Sequence, residues 1–339
     1  MRHVRNHARP ARTSRSLVAL IAAIATLAVS AGVGVAKTPA ASSEPLVLKV
    51  GITGNSGPWV YAQATGVLEE KLKPLNVEVK WVPVVGAFST TLPALTSGEI
   101  DIEQAPLTGA VSTFAKDLPY RMFGINDPYP NQSSGIIVPA GSSIRSVKDL
   151  VGKKVAVNPG AKGEYVLLRA LELNNIPFDQ VTRVPIQPPA AASAFASGEL
   201  DAWATFQAFF DTAVANGARV IVRETKLESD DALLGAVART DLIKDHPEVV
   251  KKFQSVINSL YTQQREDPAA FQNIVQKTGP TAISGQSLTD AIALAKLTSD
   301  LHSPGPEDYA RAKRISKLFL DAKVTQTAVN PKQLFATVK

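Results

Sequence analysis

One five-residue phrase occurs twice in the chain, about a hundred positions apart. Residues 97–101 read SGEID and residues 197–201 read SGELD, and an apolar, helix-like run precedes each copy. The glycine suits the left-handed position that follows a helix, so each copy predicts the end of a helix and the start of a strand. Because helix-ending chemistry can arise twice by chance, the flanking elements decide what the phrase means.

The same order of predicted elements surrounds both copies. A strand, a glycine-rich turn, a helix, a second strand, a loop and a second helix precede the phrase, and a third strand follows it. This series begins at Leu46–Ile52 in the first half and at Lys154–Val157 in the second. Two units built alike predict two α/β domains with parallel sheets of similar topology. Duplication therefore explains the phrase better than chance.

The remaining segments indicate how the two units are joined. Asp127–Ser134 is rich in Pro, Asn and Ser, which marks a crossover, and the apolar stretch 233–238 predicts a returning strand. From His246 onward the pattern is helical, including residues 267–278, and we expect this tail to cap the first domain. The predicted first domain comprises residues 46–130 and 236–339, and the second comprises residues 131–235.

The N-terminal segment has the layout of a secretory signal peptide. Five arginines and no acid lie in residues 1–15, and the uncharged, almost wholly apolar run Leu17–Val29 follows. We expect cleavage after Ala36, which makes residues 1–36 the signal and residues 37–45 a linker. The alternative is an uncleaved anchor, but its many Ala and Gly residues suit a membrane span poorly. Removal of the signal lowers the formal net charge from +6 to +1, so the basic balance is no evidence for nucleic-acid binding.

Composition narrows the class further. The chain has 339 residues, is 45% hydrophobic and contains no cysteine. The length allows two domains with real cores, and the lack of cysteine excludes disulfides, a lipid anchor on cysteine, a thiolate metal site and a cysteine nucleophile. We expect a soluble, monomeric periplasmic protein with no cofactor and no bound metal.

Several motifs carry a family resemblance. SVKDLVGKKVAV at 146–157, GELDAW at 198–203 and HPEVVKKF at 246–253 are similar to segments of extracytoplasmic solute-binding proteins of ABC importers. The chain resembles the branch that handles aliphatic sulfonates, taurine and nitrate, over residues 46–261. The resemblance implies the type II periplasmic-binding-protein fold, with a ligand cleft between two α/β domains and a C-terminal helical tail. It also implies hinge closure around a small anion and docking on a membrane permease.

The candidate ligand site follows from the predicted topology. Ligands of open parallel sheets bind beyond the carboxyl ends of the strands, where helix N-termini and hydroxyl groups attract anions. The predicted ligand-binding residues are Asn55, Ser56, Gly57, Trp59, Phe88, Ser89, Thr90, Gln104, Thr108, Lys162, Gly163, Phe206 and Gln207. The three aromatic residues of this set would either wall an apolar tail or pack in the core.

Two charged residues near the predicted cleft need separate treatment. Lys162 is the one basic residue on these loops, and we expect it to face solvent rather than an anion. Glu164 stands at a helix start, where a carboxylate usually compensates the helix dipole. At residues 160–163 and 206–207 the sequence differs from that of the sulfonate binders. The ligand is therefore open among a sulfonate, taurine, nitrate and other small molecules.

Two other classes of function remain as alternatives. Desulfinases and pyrimidine-synthesising proteins resemble this family, but such chemistry needs a nucleophile or a general base. Beyond the signal the chain has only His246 and His302, neither on a predicted cleft loop, so we expect no enzyme. A ligand sensor fits export and fold equally well.

Overall fold

The computed structural model describes residues 44–84, 87–114, 118–129, 132–231, 235–279 and 282–338. The expected signal peptide, residues 1–36, and most of the expected linker lie outside the described residues. In the described part, no helix combines the length and the apolar character that a membrane span requires.

Ten strands within the described residues form two five-stranded sheets. The first sheet contains β1 (Leu46–Ile52), β2 (Val77–Pro83), β3 (Ile102–Ala105), β4 (Tyr120–Ile125) and β10 (Gly235–Arg239). The second contains β5 (Ser134–Val138), β6 (Lys154–Val157), β7 (Thr182–Pro185), β8 (Ala202–Phe206) and β9 (Arg219–Arg223).

The two sheets share one topology. Their strand orders are β2-β1-β3-β10-β4 and β7-β6-β8-β5-β9, so each sheet repeats the same order with one strand inserted next to the last. The inserted strands, β10 and β5, run antiparallel to both neighbours. The prediction of similar topology is confirmed, but the sheets are mixed rather than parallel throughout. Each inserted strand enters its sheet as the chain passes from the other sheet, and it runs in the opposite direction.

Helices connect the strands and build the tail. The described helices are α1 (Pro58–Thr65), α2 (Val67–Leu72), α3 (Phe88–Ser97), α4 (Leu107–Phe114), α5 (Lys162–Leu173), α6 (Pro188–Ala196), α7 (Gln207–Ala215), α8 (Thr240–Asp245), α9 (Pro247–Glu266), α10 (Gly285–Ala295), α11 (Pro306–Asp321) and α12 (Pro331–Leu334).

The repeated phrase ends a helix in both copies. Gly98 follows α3 with a φ of 75°, and Gly198 lies just beyond α6 with a φ of 82°. Both values are in the left-handed region that glycine adopts without strain. The phrase therefore precedes β3 in one sheet and β8 in the other, at the amino ends of these strands.

The tail differs from the expectation in two respects. Residues 268–279 form turns rather than a helix, because the loop before α1 binds their backbone: the Asn55 side chain accepts the N–H groups of Val275 and Gln276 at 2.8 and 2.7 Å. In addition, α9 packs on α1 and α2, whereas α11 packs on both α4 and α5. The tail thus contacts both units rather than the first alone, and the proposed domain boundaries stay a prediction.

Candidate functional site

The carboxyl ends of the strands in the two sheets approach each other through α4 and the loop before α5. Gly160 in this loop lies so close to α4 that a Cβ there would be 2.9 Å from Ser112 Oγ. Gly163, in the first turn of α5, lies equally close to β8, since a Cβ would be 2.5 Å from the carbonyl oxygen of Ala204. The strand ends, the loop, α4 and the start of α5 therefore form one region.

A buried group of three charges occupies this region. Lys162 Nζ donates to Glu224 Oε1 at 2.8 Å and to Asp231 Oδ2 at 3.0 Å, and the three side chains are at most 4% exposed. Burial alone would lower the pKa of Lys162, but the two carboxylates outweigh it and raise this pKa. Lys162 is therefore a cation, and the expectation that it faces solvent is wrong, because the segment after β9 supplies two buried partners.

Two tyrosine hydroxyls extend the region. The Tyr129 hydroxyl lies close enough to Lys162, Glu224 and Asp231 to interact with their charges, and also interacts with Tyr261. Burial raises the pKa of both tyrosines, so both hydroxyls are neutral and able to donate.

The Tyr261 hydroxyl, on α9, faces groups from α1, from β3 and from the residue after β4. These are the side chains of Trp59, Gln104 and Asn126. Neither the Tyr261 hydroxyl nor Trp59 Nε1 makes a well-formed hydrogen bond in the described part of the chain. The Tyr261 hydroxyl and the Trp59 indole N–H thus face polar neighbours but form no well-aligned hydrogen bond with them.

Eight buried polar atoms around these residues share this property. None of them makes a well-formed hydrogen bond among the described residues: Trp59 Nε1, Thr108 Oγ1, Asn126 Oδ1, Ser134 Oγ, Asn158 Nδ2, Thr205 Oγ1, Glu224 Oε2 and the hydroxyl of Tyr261. We call these eight atoms the unpaired set. Three of them, on Trp59, Asn126 and Tyr261, face one another. A buried polar group without a partner costs about 1–3 kcal/mol, so a cluster of them needs an explanation.

Most of the unpaired set lies on one edge of each sheet. Thr108 and Asn126 follow β3 and β4, and Asn158, Thr205 and Glu224 lie at the carboxyl ends of β6, β8 and β9. Ser134 begins the antiparallel β5, which places it at the same edge. The topology thus collects unsatisfied polar groups where a ligand of an open α/β sheet binds.

The unpaired set is rich in donors. The nitrogens of Trp59 and Asn158 can only donate, and the four hydroxyls can donate or accept. Only the oxygens of Asn126 and Glu224 are pure acceptors. Such a set matches a ligand that presents several oxygen acceptors.

Some sequence-predicted residues hold the protein together. In the loop before α1, Asn55 binds the tail, the Ser56 hydroxyl accepts the N–H of Asn273 at 3.2 Å, and the N–H of Gly57 donates to Phe271 at 2.8 Å. These contacts engage the loop with the tail, which sequence spacing alone does not indicate.

The start of α3 is also largely structural. Phe88 is buried with its ring edge-to-face to Tyr120 at 5.6 Å, so it packs in the core. Ser89 is half-buried, and the exposed Thr90 donates its hydroxyl to the carbonyl of Ala87 at 2.7 Å. Ser89 and Thr90 stay predicted ligand-binding residues.

The start of α5 is held by its own side chains. The N–H of Gly163 donates to Asn158 Oδ1 at 2.9 Å, which leaves the Asn158 amide N–H groups for another partner. Glu164 accepts from the N–H of Gly160 at 2.7 Å and from Arg183 at 2.8 Å. Glu164 therefore stabilises its own loop, as expected of a carboxylate at a helix start.

The start of α7 contains a strained residue. Gln207 has a φ of 51°, which is uncommon for a residue with a side chain, and its N–H donates to the carbonyl of Ser133 at 2.6 Å. Phe206 precedes it half-buried, and the Gln207 side chain is exposed. Strain of this kind directly after a strand end is typical of ligand-contacting positions.

Several residues of this region are not predicted from the sequence. Tyr129 and Ser134 lie in or beside the first crossover, Glu224 and Asp231 follow β9, and Tyr261 lies on α9. The Pro-, Asn- and Ser-rich composition of residues 127–134 could have indicated Tyr129 and Ser134, because a crossover between the sheets passes the ends of the strands. Tyr261 gave no local signal, since only the packing of α9 on α1 brings it near.

Neither of two surface cavities is lined by a member of the unpaired set. One of about 430 Å³ is lined by Asp127, Asp230 and Arg311, among others, and one of about 380 Å³ lies at the amino ends of the first sheet, lined by Lys49 and Asp101. Among the described residues, no group of three or more His, Cys, Asp or Glu side chains is arranged to hold a metal ion.

Comparisons with solved structures show the fold. An alkanesulfonate-binding protein, SsuA from Xanthomonas axonopodis pv. citri bound to MOPS, superposes with a TM-score of 0.77 at 21% identity, over 87% of this chain and all of that one. The desulfurization enzyme DSZB superposes with a TM-score of 0.55 at 15% identity, over 86% and 96%. With the two sheets of equal topology, these likenesses establish the type II periplasmic-binding-protein fold.

Sequence comparisons give the family. A putative aliphatic sulfonates-binding protein of Bacillus subtilis (strain 168) is 28% identical over 254 residues, which are 69% of this chain and 74% of that protein. The family described as NMT1/THI5 like matches residues 76–270, more than half of the chain. The chain therefore belongs to the NMT1/THI5-like family.

Proposed function

We propose that this chain is the substrate-binding component of an ABC importer and captures a small organic anion, an aliphatic sulfonate, between its two α/β units. The observation that carries the proposal is the unpaired set: six of its eight atoms can donate, and most of the set is buried at the strand ends of both sheets. A ligand bound there supplies the missing acceptors.

The chemistry of a sulfonate suits these donors. Its three oxygens only accept hydrogen bonds, and each bond to a charged group contributes about 1.5–3 kcal/mol. Four or five such bonds, less the cost of binding, suffice for a dissociation constant of about 1 μM. The charge is spread over three oxygens, so neutral donors and helix starts can hold it without a free cation.

The names of similar proteins support the same ligand class. The Bacillus subtilis relative is named as a putative aliphatic sulfonates-binding protein, and the Xanthomonas structure holds MOPS. We extend this to our chain as a proposal, with taurine, nitrate and related small anions as alternatives.

The proposal includes export, hinge closure and delivery. The chain would reach the periplasm through a signal peptide cleaved after Ala36, bind as a monomer, close around its ligand and dock on a membrane permease. Mass analysis of the exported protein tests the first step, because the proposal predicts an N-terminus at Lys37. A retained N-terminal segment in the membrane fraction would contradict it.

We propose that the chain is not an enzyme, although enzymes exist on the same scaffold. The likeness to DSZB at 15% identity concerns the fold alone. His246 lies beside Glu248, and His302 lies beside Asp127 and Asp308, so among the described residues neither is placed to supply a base next to Lys162. Turnover of a ligand would reverse this assignment.

A thermal-shift screen of residues 37–339 tests the ligand class. The panel comprises methanesulfonate, longer alkanesulfonates, taurine, nitrate, sulfate and uncharged aromatic compounds. We expect a sulfonate to raise the melting temperature in a saturable way, since a ligand at a hundred times its dissociation constant stabilises by about 2.7 kcal/mol. Stabilisation by uncharged or cationic compounds only would contradict the anion assignment.

A further inference from the structure

The strongest position for an anion in this region is already taken by the chain itself. Asp231 Oδ1 accepts the N–H of Thr108 at 3.0 Å, in the first turn of α4, and Asp231 Oδ2 accepts from Lys162 at 3.0 Å, at the first residue of α5. The start of α4, through one backbone N–H, and the buried Lys162 cation therefore converge on one carboxylate. This is the arrangement that a bound anion would otherwise complete.

Asp231 is well fixed in this position. Its side chain is 0% exposed, and its backbone N–H donates to Ser229 Oγ at 3.2 Å. The preceding residue, Asp230, is held by Arg314 through two hydrogen bonds of 2.9 and 2.6 Å. The segment after β9 therefore holds the Asp231 carboxylate in place.

The charges of this group do not favour a doubly charged ligand. Lys162 faces two carboxylates, Asp231 and Glu224, so the buried group carries a formal charge of −1. Repulsion between buried like charges grows with the charge of the ligand. A dianion is therefore repelled about twice as strongly as a monoanion, and a monoanion can use the neutral donors of the unpaired set.

We propose that Asp231 is a specificity-determining residue: it occupies the anion position between Lys162 and α4, and thereby rejects inorganic dianions in favour of a monoanion carried on an organic group. This inference rests on the proposed function, since it concerns how that site selects its ligand. Sulfate and methanesulfonate are the natural pair of probes, because they differ mainly by one charged oxygen replaced with a methyl group.

The test is calorimetric titration of residues 37–339 with sulfate and methanesulfonate at constant ionic strength. The variants are Asp231→Asn and Asp231→Ser, which remove the charge, and Glu224→Gln, which removes the other carboxylate but leaves the Thr108 N–H occupied. Glu228→Gln is the matched control, because Glu228 is an exposed carboxylate of the same segment and pairs with Arg169 at 3.6 Å. Far-UV circular dichroism and a cooperative melt confirm folding of each variant.

We expect the wild-type chain to bind methanesulfonate at least about a hundredfold more tightly than sulfate, and Asp231→Asn to gain about tenfold or more in sulfate affinity. Glu224→Gln should gain less, and Glu228→Gln should match the wild type. A folded Asp231→Asn or Asp231→Ser variant with an unchanged ratio of the two affinities overturns the inference. If the wild-type chain binds neither anion, the proposed function fails, whereas sulfate binding gained by Asp231→Asn still supports the role of Asp231.

Discussion

At the scale of single residues, the two copies of the repeated phrase perform the same task. Asp101 Oδ2 accepts the backbone N–H of Lys49 at 2.9 Å, and Asp201 Oδ2 accepts that of Lys154 at 2.8 Å. In return, the N–H of each aspartate donates to the carbonyl of the same lysine, at 2.8 and 3.1 Å. Each aspartate therefore fastens the third strand of its unit to the first. The phrase is structural, and its carboxylates lie away from the unpaired set.

Replacing Asp201 with alanine should lower stability without weakening ligand binding. The change removes the hydrogen bond that the backbone N–H of Lys154 donates to the charged Asp201 carboxylate. We therefore expect the free energy of unfolding in urea to fall by about 1–2 kcal/mol. The neighbouring Glu199→Ala is the control, since Glu199 is exposed and contacts only Ser197 through its side chain in the described chain. A folded Asp201→Ala protein of unchanged stability and tenfold weaker binding would assign the phrase to the site instead.

Glu103 should make stability depend on pH. Burial raises the pKa of Glu103 from 4.5 to about 7, although the Thr91 hydroxyl donates to it at 2.9 Å and lowers it in part. The folded state then binds a proton that the unfolded state has lost, so the contribution of Glu103 to stability is complete below pH 4.5 and declines as the pH rises toward 7. At about 1.4 kcal/mol per pH unit, the decline amounts to at most about 3 kcal/mol.

Urea unfolding of the Glu103→Gln variant at several pH values from 5 to 8 measures this effect. We expect the variant to lose the decline and to exceed the wild type in stability at pH 8, while exposed Glu78→Gln follows the wild type. Parallel pH profiles of Glu103→Gln and the wild type would show that Glu103 does not titrate in this range.

At the scale of elements, one glycine changes how the first helix is built. The sequence pattern predicts a single helix from Pro58 to Leu72, but the structure divides it at Gly66, which has a φ of 69° and ends α1 through a hydrogen bond to the carbonyl of Ala62 at 3.0 Å. Both α1 and α2 can then pack on α9. A break of this kind depends on tertiary packing, which the periodicity of the segment does not contain.

Replacing Gly66 with alanine should therefore destabilise the protein by about 1 kcal/mol, the cost of a left-handed conformation for a residue with a side chain. A Cβ there would meet no described atom within 4 Å, so the cost is conformational rather than steric. Gly141→Ala is the matched control, because its surroundings are equally open but its φ is not in that region, and it should be neutral or slightly stabilising. Equal effects of the two substitutions in thermal unfolding would refute this explanation of the break.

Some elements could be predicted from the sequence, and others could not. β1, β2 and β6 were predictable with their bounds, because apolar or alternating runs are framed there by turns. The loops at strand ends, such as those around Thr108 and Gly163, followed from topology alone. By contrast, Tyr261 and Asp231 reach the site from distant segments, and the turns at 268–279 form because Asn55 binds their backbone. These features depend on contacts between elements far apart in sequence.

At the scale of the whole molecule, the candidate site coincides with the connections between the two sheets. Tyr129 and Ser134 belong to the segment that leads from β4 to β5, and Glu224 and Asp231 to the segment that leads from β9 to β10. Polar groups from both connections and from both sheets thus belong to one region. A ligand that satisfied them would bind both units at once, which is the physical basis of the hinge closure that we propose.

The most direct test of this account is calorimetric titration of methanesulfonate into the wild-type chain and two variants that each remove one unpaired donor. Trp59→Phe retains the packing against Phe253 but removes the indole N–H of the first unit, and Thr205→Val removes a hydroxyl of the second unit at nearly constant volume. Each loses a hydrogen bond to a charged ligand, so we predict that each weakens binding by about tenfold or more while the protein remains folded. Unchanged affinity in both folded variants would contradict the claim that the ligand binds where the strand ends of the two sheets meet.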